Sequence, residues 1–407
     1  MLSRRKFLRS SALFSLAPLL PSILARTARA AGAAPDARAL VVIQLDGGND
    51  GLNTVVPYAD DGYAKARVKL RLEVNKLHKL DDHAALHPSM RAAKELFDDG
   101  RLAIVHGVGY PNPNRSHFES MKIWHTARAL DAQGDGNGWL GRTLDRMPAD
   151  VKQKPATAIF VGQQDPPVAL WGRKSETIAL SDEDDLKLQL AIPPPRAGSE
   201  KTAEAGSLDQ FVAREVLSAY SAAQDFGERR ARAAGARAAG AGAEKYPDTQ
   251  LATQLKLISQ LLQGDSQARV YYAIQSGYDT HSSQLYPHGQ LLRELAEGMK
   301  AFLNDLKRAG LDDRVVVLAF SEFGRRVAEN DSQGTDHGTA GPVFVAGQPV
   351  KAGLIGAAPN LADLQDGDLK TQHDFRQVYA TLLDDWLGVS SGEVLGAKFE
   401  RLQILRG

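Results

Sequence analysis

The chain has 407 residues, 43% of them apolar and 24% charged, and its 49 basic and 49 acidic side chains cancel to a formal net charge of zero. That balance argues against nucleic acid as a partner. The complete absence of cysteine excludes disulfides, thiolate metal sites and cysteine nucleophiles.

The opening stretch "SRRKFLRSSALFSLAPLLPSIL" joins a twin-arginine head, Arg4 and Arg5, to a modest apolar run. The small-x-small pattern of Ala28, Arg29 and Ala30 follows. This reads as a cleavable export signal over residues 1–30, with the twin-arginine translocation machinery as the partner during export and a periplasmic or secreted destination. Pro18 and Pro21 break the apolar run, which is too short to cross about 30 Å of hydrocarbon, so no stable membrane anchor is expected. Residues 1–30 hold six basic residues and no acid, so cleavage leaves 43 basic against 49 acidic residues, a net charge of −6.

The remainder is long enough for one large α/β domain or two smaller ones, and is read as one α/β domain over 36–407. Strand candidates are "ALVVIQL" (39–45), "LAIVHGVG" (102–109), "ATAIFVG" (156–162), "RVYYAIQS" (269–276), "RVVVLAF" (314–320) and "PVFVAG" (342–347). Between the third and fourth, from Pro193 to Tyr246, the composition shifts to a Pro/Ser/Glu loop and then to Ala/Arg/Gly low complexity, read as an insertion or cap over 193–250. Leu251, Leu255, Ile258 and Leu262 mark one face of a following helix, and "LLRELAEGMKAFLNDLKRAG" predicts another over 291–310, closing on Gly310. Strands alternating with helices imply a mostly parallel sheet with helices on both faces. In such sheets the ligands gather beyond the carboxyl ends of the strands.

At those ends stand Asp46 in "LDGGNDGLN", Ser116 and His117 in "NRSHFES", Asp279 and His281 in "YDTHSS", Glu322 and Arg325 in "SEFGRR", and Asp336 and His337 in "TDHGTAG". Singly, each has a local explanation. Asp46 before two glycines suits a turn, Ser116 with Glu119 suits a helix capping box, and Glu322 with Arg325 suits an ion pair. Local explanations do not account for carboxylates and imidazoles at five successive strand ends. Carboxylate and imidazole without thiolate suit one or two divalent ions: zinc, manganese, magnesium or calcium. Carboxylate or imidazole atoms of Asp46, Asp279, His281, Glu322 and His337 are therefore expected to converge within about 5–8 Å.

These motifs, together with "GWLGR" (138–142) and "DFRQVYATLLDDWLG" (374–388), resemble the exported bacterial family called domain of unknown function 1501, within the alkaline phosphatase and sulfatase superfamily. The resemblance implies that fold over the mature chain. It implies Ser116 as nucleophile, with His117 or Arg325 steadying an anionic ester substrate. It implies Asp46, Asp279, His281, Glu322, Asp336 and His337 as metal residues. Phe323 stands where the superfamily usually has a ligating histidine, and His117 or Asp336 is the candidate substitute. The implied activity is hydrolysis of phosphate or sulfate esters; the alternative is a non-catalytic relative serving binding or assembly at the cell envelope.

Residues 227–244 lack the spaced large apolar side chains that would offset the entropy of ordering. Limited proteolysis should nick there first while the rest of the chain stays intact; protection equal to that of the central strands would contradict this reading.

Overall fold

The structure, a computed structural model, describes residues 38–128, 136–147, 156–181, 244–264, 266 and 268–406. The export signal and the low-complexity stretch through residue 243 lie outside the described residues, and the described fold is that of the unit from Arg38 onward.

Nine strands form the main sheet: β1 (Ala39–Asp46), β2 (Leu102–Gly109), β3 (Thr157–Val161), β4 (Glu176–Leu180), β5 (Val270–Ser276), β6 (Val315–Phe320), β7 (Gly341–Ala346), β8 (Gly353–Ile355) and β9 (His373–Asp374). Their order is β8-β2-β7-β6-β1-β5-β3-β4, with β9 pairing β2. Six of the nine are the strands read from sequence. β7 alone runs antiparallel, against both β2 and β6.

Along β1 the side chains alternate between two cores, because successive residues of a strand face opposite ways. Val41, Ile43 and Leu45 pack beneath α4 (Gln250–Gln263), α5 (Leu285–Ala309) and α1 (Arg91–Asp98). Leu40 and Val42 face α2 (His117–Thr126), α3 (Trp139–Arg146) and α6 (Phe375–Thr381). On that second face Trp124 stacks on Phe320 and Phe375, with ring centroids at 4.9 and 4.3 Å. α5 ends as expected on Gly310 in the left-handed conformation, its N–H returning to Leu306 and Lys307.

Register then fixes the site. β1 lies between β5 and β6, with Asp46 opposite Ser276 and Gln44 opposite Phe320, so the segments after all three strands leave the same edge together. Antiparallel β7 begins at that edge and brings residues 336–340 to it. Gly47 lets the segments pack: it sits at φ +119°, and a Cβ there would lie 2.5 Å from the Asp279 amide nitrogen.

Burial holds four histidines neutral. His87, His106, His125 and His288 are each lowered to about 4 by desolvation. A depressed folded-state pKa means that below about 6.5 the unfolded chain takes up protons that the folded chain refuses. Stability should therefore be full above pH 6.5 and fall progressively toward pH 4. Melting temperatures measured across this range in a chelating buffer check this; a flat profile from pH 7 to 5 would sink it.

Candidate metal centre

Four of the residues read from the strand ends lie side by side: His117, Asp279, His281 and His337. Asp279, which follows β5, turns Oδ1 toward three imidazole Nε2 atoms: His281 at 3.0 Å, His337 at 3.2 Å and His117 at 3.4 Å. The Nε2 atoms of His281 and His337 are themselves 2.9 Å apart. The ligand atoms of His117, Asp279 and His337 lie within 4.8 Å of one another.

Each ring is fixed through its other nitrogen. His337 Nδ1 donates to the Arg115 carbonyl at 2.7 Å; a carbonyl only accepts, so the proton sits on Nδ1 and Nε2 is bare. His281 Nδ1 faces Asp336 Oδ1 at 3.2 Å, and His117 Nδ1 faces Glu322 Oε1 at 2.7 Å. His117 Nε2 is buried and finds no hydrogen-bond partner. Three imidazole nitrogens gathered around one carboxylate oxygen form a donor set able to hold a divalent cation. Tetrahedral zinc with bonds near 2.0–2.1 Å sets its ligands about 3.3 Å apart, close to the 2.9–3.4 Å contacts around Asp279 Oδ1 and between His281 and His337, while the set of His117, Asp279 and His337 spans up to 4.8 Å.

Glu322 and Asp336 were expected as ligands, and the structure assigns both a different position. The Glu322 side chain is fully buried and accepts from Gly47 N at 3.0 Å and Ser321 Oγ at 2.9 Å besides holding His117. Asp336 accepts from Asn330 Nδ2 at 3.1 Å as well as meeting His281. Both carboxylates thus act on the outer nitrogen of a histidine, the arrangement that fixes ring orientation and raises ligand basicity at metal sites. His117 takes the inward position instead.

Asp46 lies close enough to Glu322, His117 and Asp279 for their charges to act on it. Burial first, and then the Glu322 charge, raise its pKa. Behind it runs a buried chain that sequence reading missed. Tyr272 OH and His125 Nε2 meet Gln44 Oε1 at 2.6 and 2.9 Å, which leaves Gln44 Nε2 to donate to Asp46 Oδ1 at 3.1 Å. The visible signal was Gln44 itself, the one amide in an otherwise apolar strand.

Arg325 was expected to steady a substrate anion, but its guanidinium is fully buried and engaged within the protein. It donates to the carbonyls of Gly48, Gly47, Tyr278 and Thr335 and, at 2.6 Å, to Asp279 Oδ1. Burial alone would raise Asp279; the Arg325 hydrogen bond and charge outweigh it and hold the carboxyl at about 2. Ser116 does stand at the N-cap of α2 and is exposed, but its hydroxyl makes no cap hydrogen bond, so the Ser116–Glu119 capping box is not formed. Asn114 Oδ1 accepts the Ser116 N–H instead, at 2.8 Å.

A second buried network braces the loops. Asp50 and Arg67 form an ion pair at 2.6 Å with both side chains fully buried, and Arg67 also donates to the carbonyls of Val327 and Arg326. Gln284, three residues after His281, donates to the same Asp50 carboxylate.

The family described as Protein of unknown function (DUF1501) matches residues 37–399. None of the curated proteins matches the chain. Among solved structures, a protein in the alkaline phosphatase superfamily from Vibrio parahaemolyticus is 11% identical, with a TM-score of 0.40 over 89% of this chain and 71% of that one. The lipoteichoic acid synthase LtaP from Listeria monocytogenes is 10% identical, with a TM-score of 0.38 over 90% of this chain and 78% of its own. The C-terminal periplasmic domain of EcEptC from Escherichia coli, in complex with Zn, is 9% identical, with a TM-score of 0.36 over 77% of this chain and 74% of its own. Likenesses this remote carry no argument about chemistry, which has to come from the residues.

The two polar features should respond oppositely to substitution. Ser116→Ala removes no cap hydrogen bond and should leave unfolding free energy within about 0.5 kcal/mol of the parent. Arg67→Met strands a buried carboxylate and should cost about 3–5 kcal/mol. Urea denaturation of both variants measures the contrast, and similar midpoints for the two would refute it.

Proposed function

The chain belongs to the DUF1501 family, whose match spans residues 37–399, and from the centre this fold assembles we propose that the protein is a metal-dependent hydrolase of phosphate or sulfate esters. One observation carries the reading: the Nε2 atoms of three histidines lie 3.0–3.4 Å from a single Asp279 oxygen, with each outer nitrogen held by a carbonyl or carboxylate. His117, His281, His337 and Asp279 would hold the ion. Three imidazoles and one carboxylate favour zinc over magnesium or calcium, which prefer all-oxygen sets. Such an ion supplies Lewis acidity, polarising an ester oxygen and favouring the anionic form of a neighbouring hydroxyl.

The chain's own groups support the rest. Ser116 is exposed, precedes His117 directly, and keeps its hydroxyl free of a cap bond, which suits a nucleophile. It stands at the N-terminus of a ten-residue helix, where backbone N–H groups and the helix dipole favour an anionic ester group. Asp279, kept ionised by Arg325, and Glu322, which orients His117, hold the imidazoles in place. The twin-arginine reading of residues 1–30 supports action in the periplasm or outside the cell, and among the described residues no helix is long and apolar enough to cross a membrane.

A second reading, a non-catalytic binding or assembly protein of the cell envelope, is favoured by one observation. Phe323 puts a phenyl ring against His117 and His337, with centroids 5.0 and 4.9 Å away, where a ligand would complete a larger metal set.

Zinc-loaded protein should hydrolyse at least one of p-nitrophenyl phosphate, bis-p-nitrophenyl phosphate and p-nitrophenyl sulfate. Ser116→Ala should retain the metal and lose several orders of magnitude in kcat, and His337→Ala should lose metal. Full zinc occupancy with no turnover on any of the three would hand the case to the binding reading.

A further inference from the structure

We infer that the centre takes one divalent ion per chain, and that Arg325 permanently supplies the positive charge a second ion would bring. This rests on the proposed metal centre and sharpens it.

The ligands are the first argument. Beyond the Asp279 and histidine set, the nearby groups that could hold a second ion are Asp46, Glu322 and Asp336. Both Glu322 oxygens are committed, to Gly47 N, Ser321 Oγ and His117, with no exposed surface on the side chain. Asp336 is drawn outward by His281 Nδ1 and Asn330 Nδ2, and its side chain is 60% exposed. Phe323, 3% exposed, fills the space beside His117 and His337 with carbon. It also lies against Gly48, where even a Cβ would come within 2.4 Å of its ring. Asp46 is what remains, and a lone carboxylate does not satisfy an ion that takes four ligands.

Space is the second argument. A second ion sharing Asp279 Oδ1 with the first would have to stand where the guanidinium is, since Arg325 Nη2 is already 2.6 Å from that oxygen. The guanidinium is not free to withdraw. Its remaining donors are held by carbonyls of Gly47, Gly48, Tyr278 and Thr335.

The test is a zinc titration of metal-free full-length protein by calorimetry, with metal content after desalting read by mass spectrometry. One tight zinc per chain is expected. Two would overturn the inference while leaving the metal reading intact, and none would overturn the metal reading and the inference with it. Arg325→Met addresses the arginine directly. Removing a like charge that shares a carboxylate oxygen with the ion should tighten zinc binding by about tenfold or admit a second ion, whereas Arg325→Lys should bind as the parent does. A Met variant with unchanged near-ultraviolet circular dichroism that binds one zinc equally or more weakly would leave Arg325 a packing residue and overturn its assignment. Should the Met variant fail to fold, the stoichiometry of the parent chain still decides the inference.

Discussion

A fully buried guanidinium must find acceptors for its donors, and Arg325 finds five across three separate loops. Gly47 and Gly48 follow β1, Tyr278 and Asp279 follow β5, and Thr335 precedes β7. An unpaired charge in that position would cost several kcal/mol, so the three loops are obliged to close on the arginine together. The rest of the site inherits its coordinates from that closure. Asp279 is held ionised and aimed, and His281, two residues on, is carried into range of His337.

Glu322 is the complementary anchor. It receives the Gly47 amide, the Ser321 hydroxyl and the His117 ring, while its own carbonyl accepts from Ser120 at 2.6 Å on the second turn of α2. Helix and strand are thereby locked to one another at the point where His117 projects. Gly47 and Gly48 have to be glycine for the same reason, since a side chain at either would enter the space occupied by the Asp279 backbone or the Phe323 ring.

Much of this was legible in the chain. The six long apolar strands, the two helices flanking β5 and the edge on which the polar groups gather follow from periodicity and from the rule that parallel sheets bind at their carboxyl ends. The short strands were not. "ETIAL" (176–180) mixes polar and apolar residues over a half-exposed edge, and Gly353–Ile355 is only three residues long. Within the site, the residue types were readable but their order of approach was not. Spacing along a chain does not say whether a carboxylate points to the middle of the cluster or meets the outer nitrogen of a histidine that does, and for Glu322 and Asp336 it is the latter. Likewise "NRSHFES" announces a helix start but not that the Ser116 hydroxyl makes no cap bond while Asn114 Oδ1 accepts the Ser116 N–H.

The hydrogen bonds that build the centre join residues 275, 205 and 222 positions apart: Gly47 to Glu322, His117 to Glu322, and Arg115 to His337. No contiguous segment contains the site, so it cannot move between proteins as a cassette, nor can a fragment inherit it. Position 323 shows the same dependence at the scale of one side chain, its phenyl ring lying against imidazoles from two segments more than two hundred residues apart.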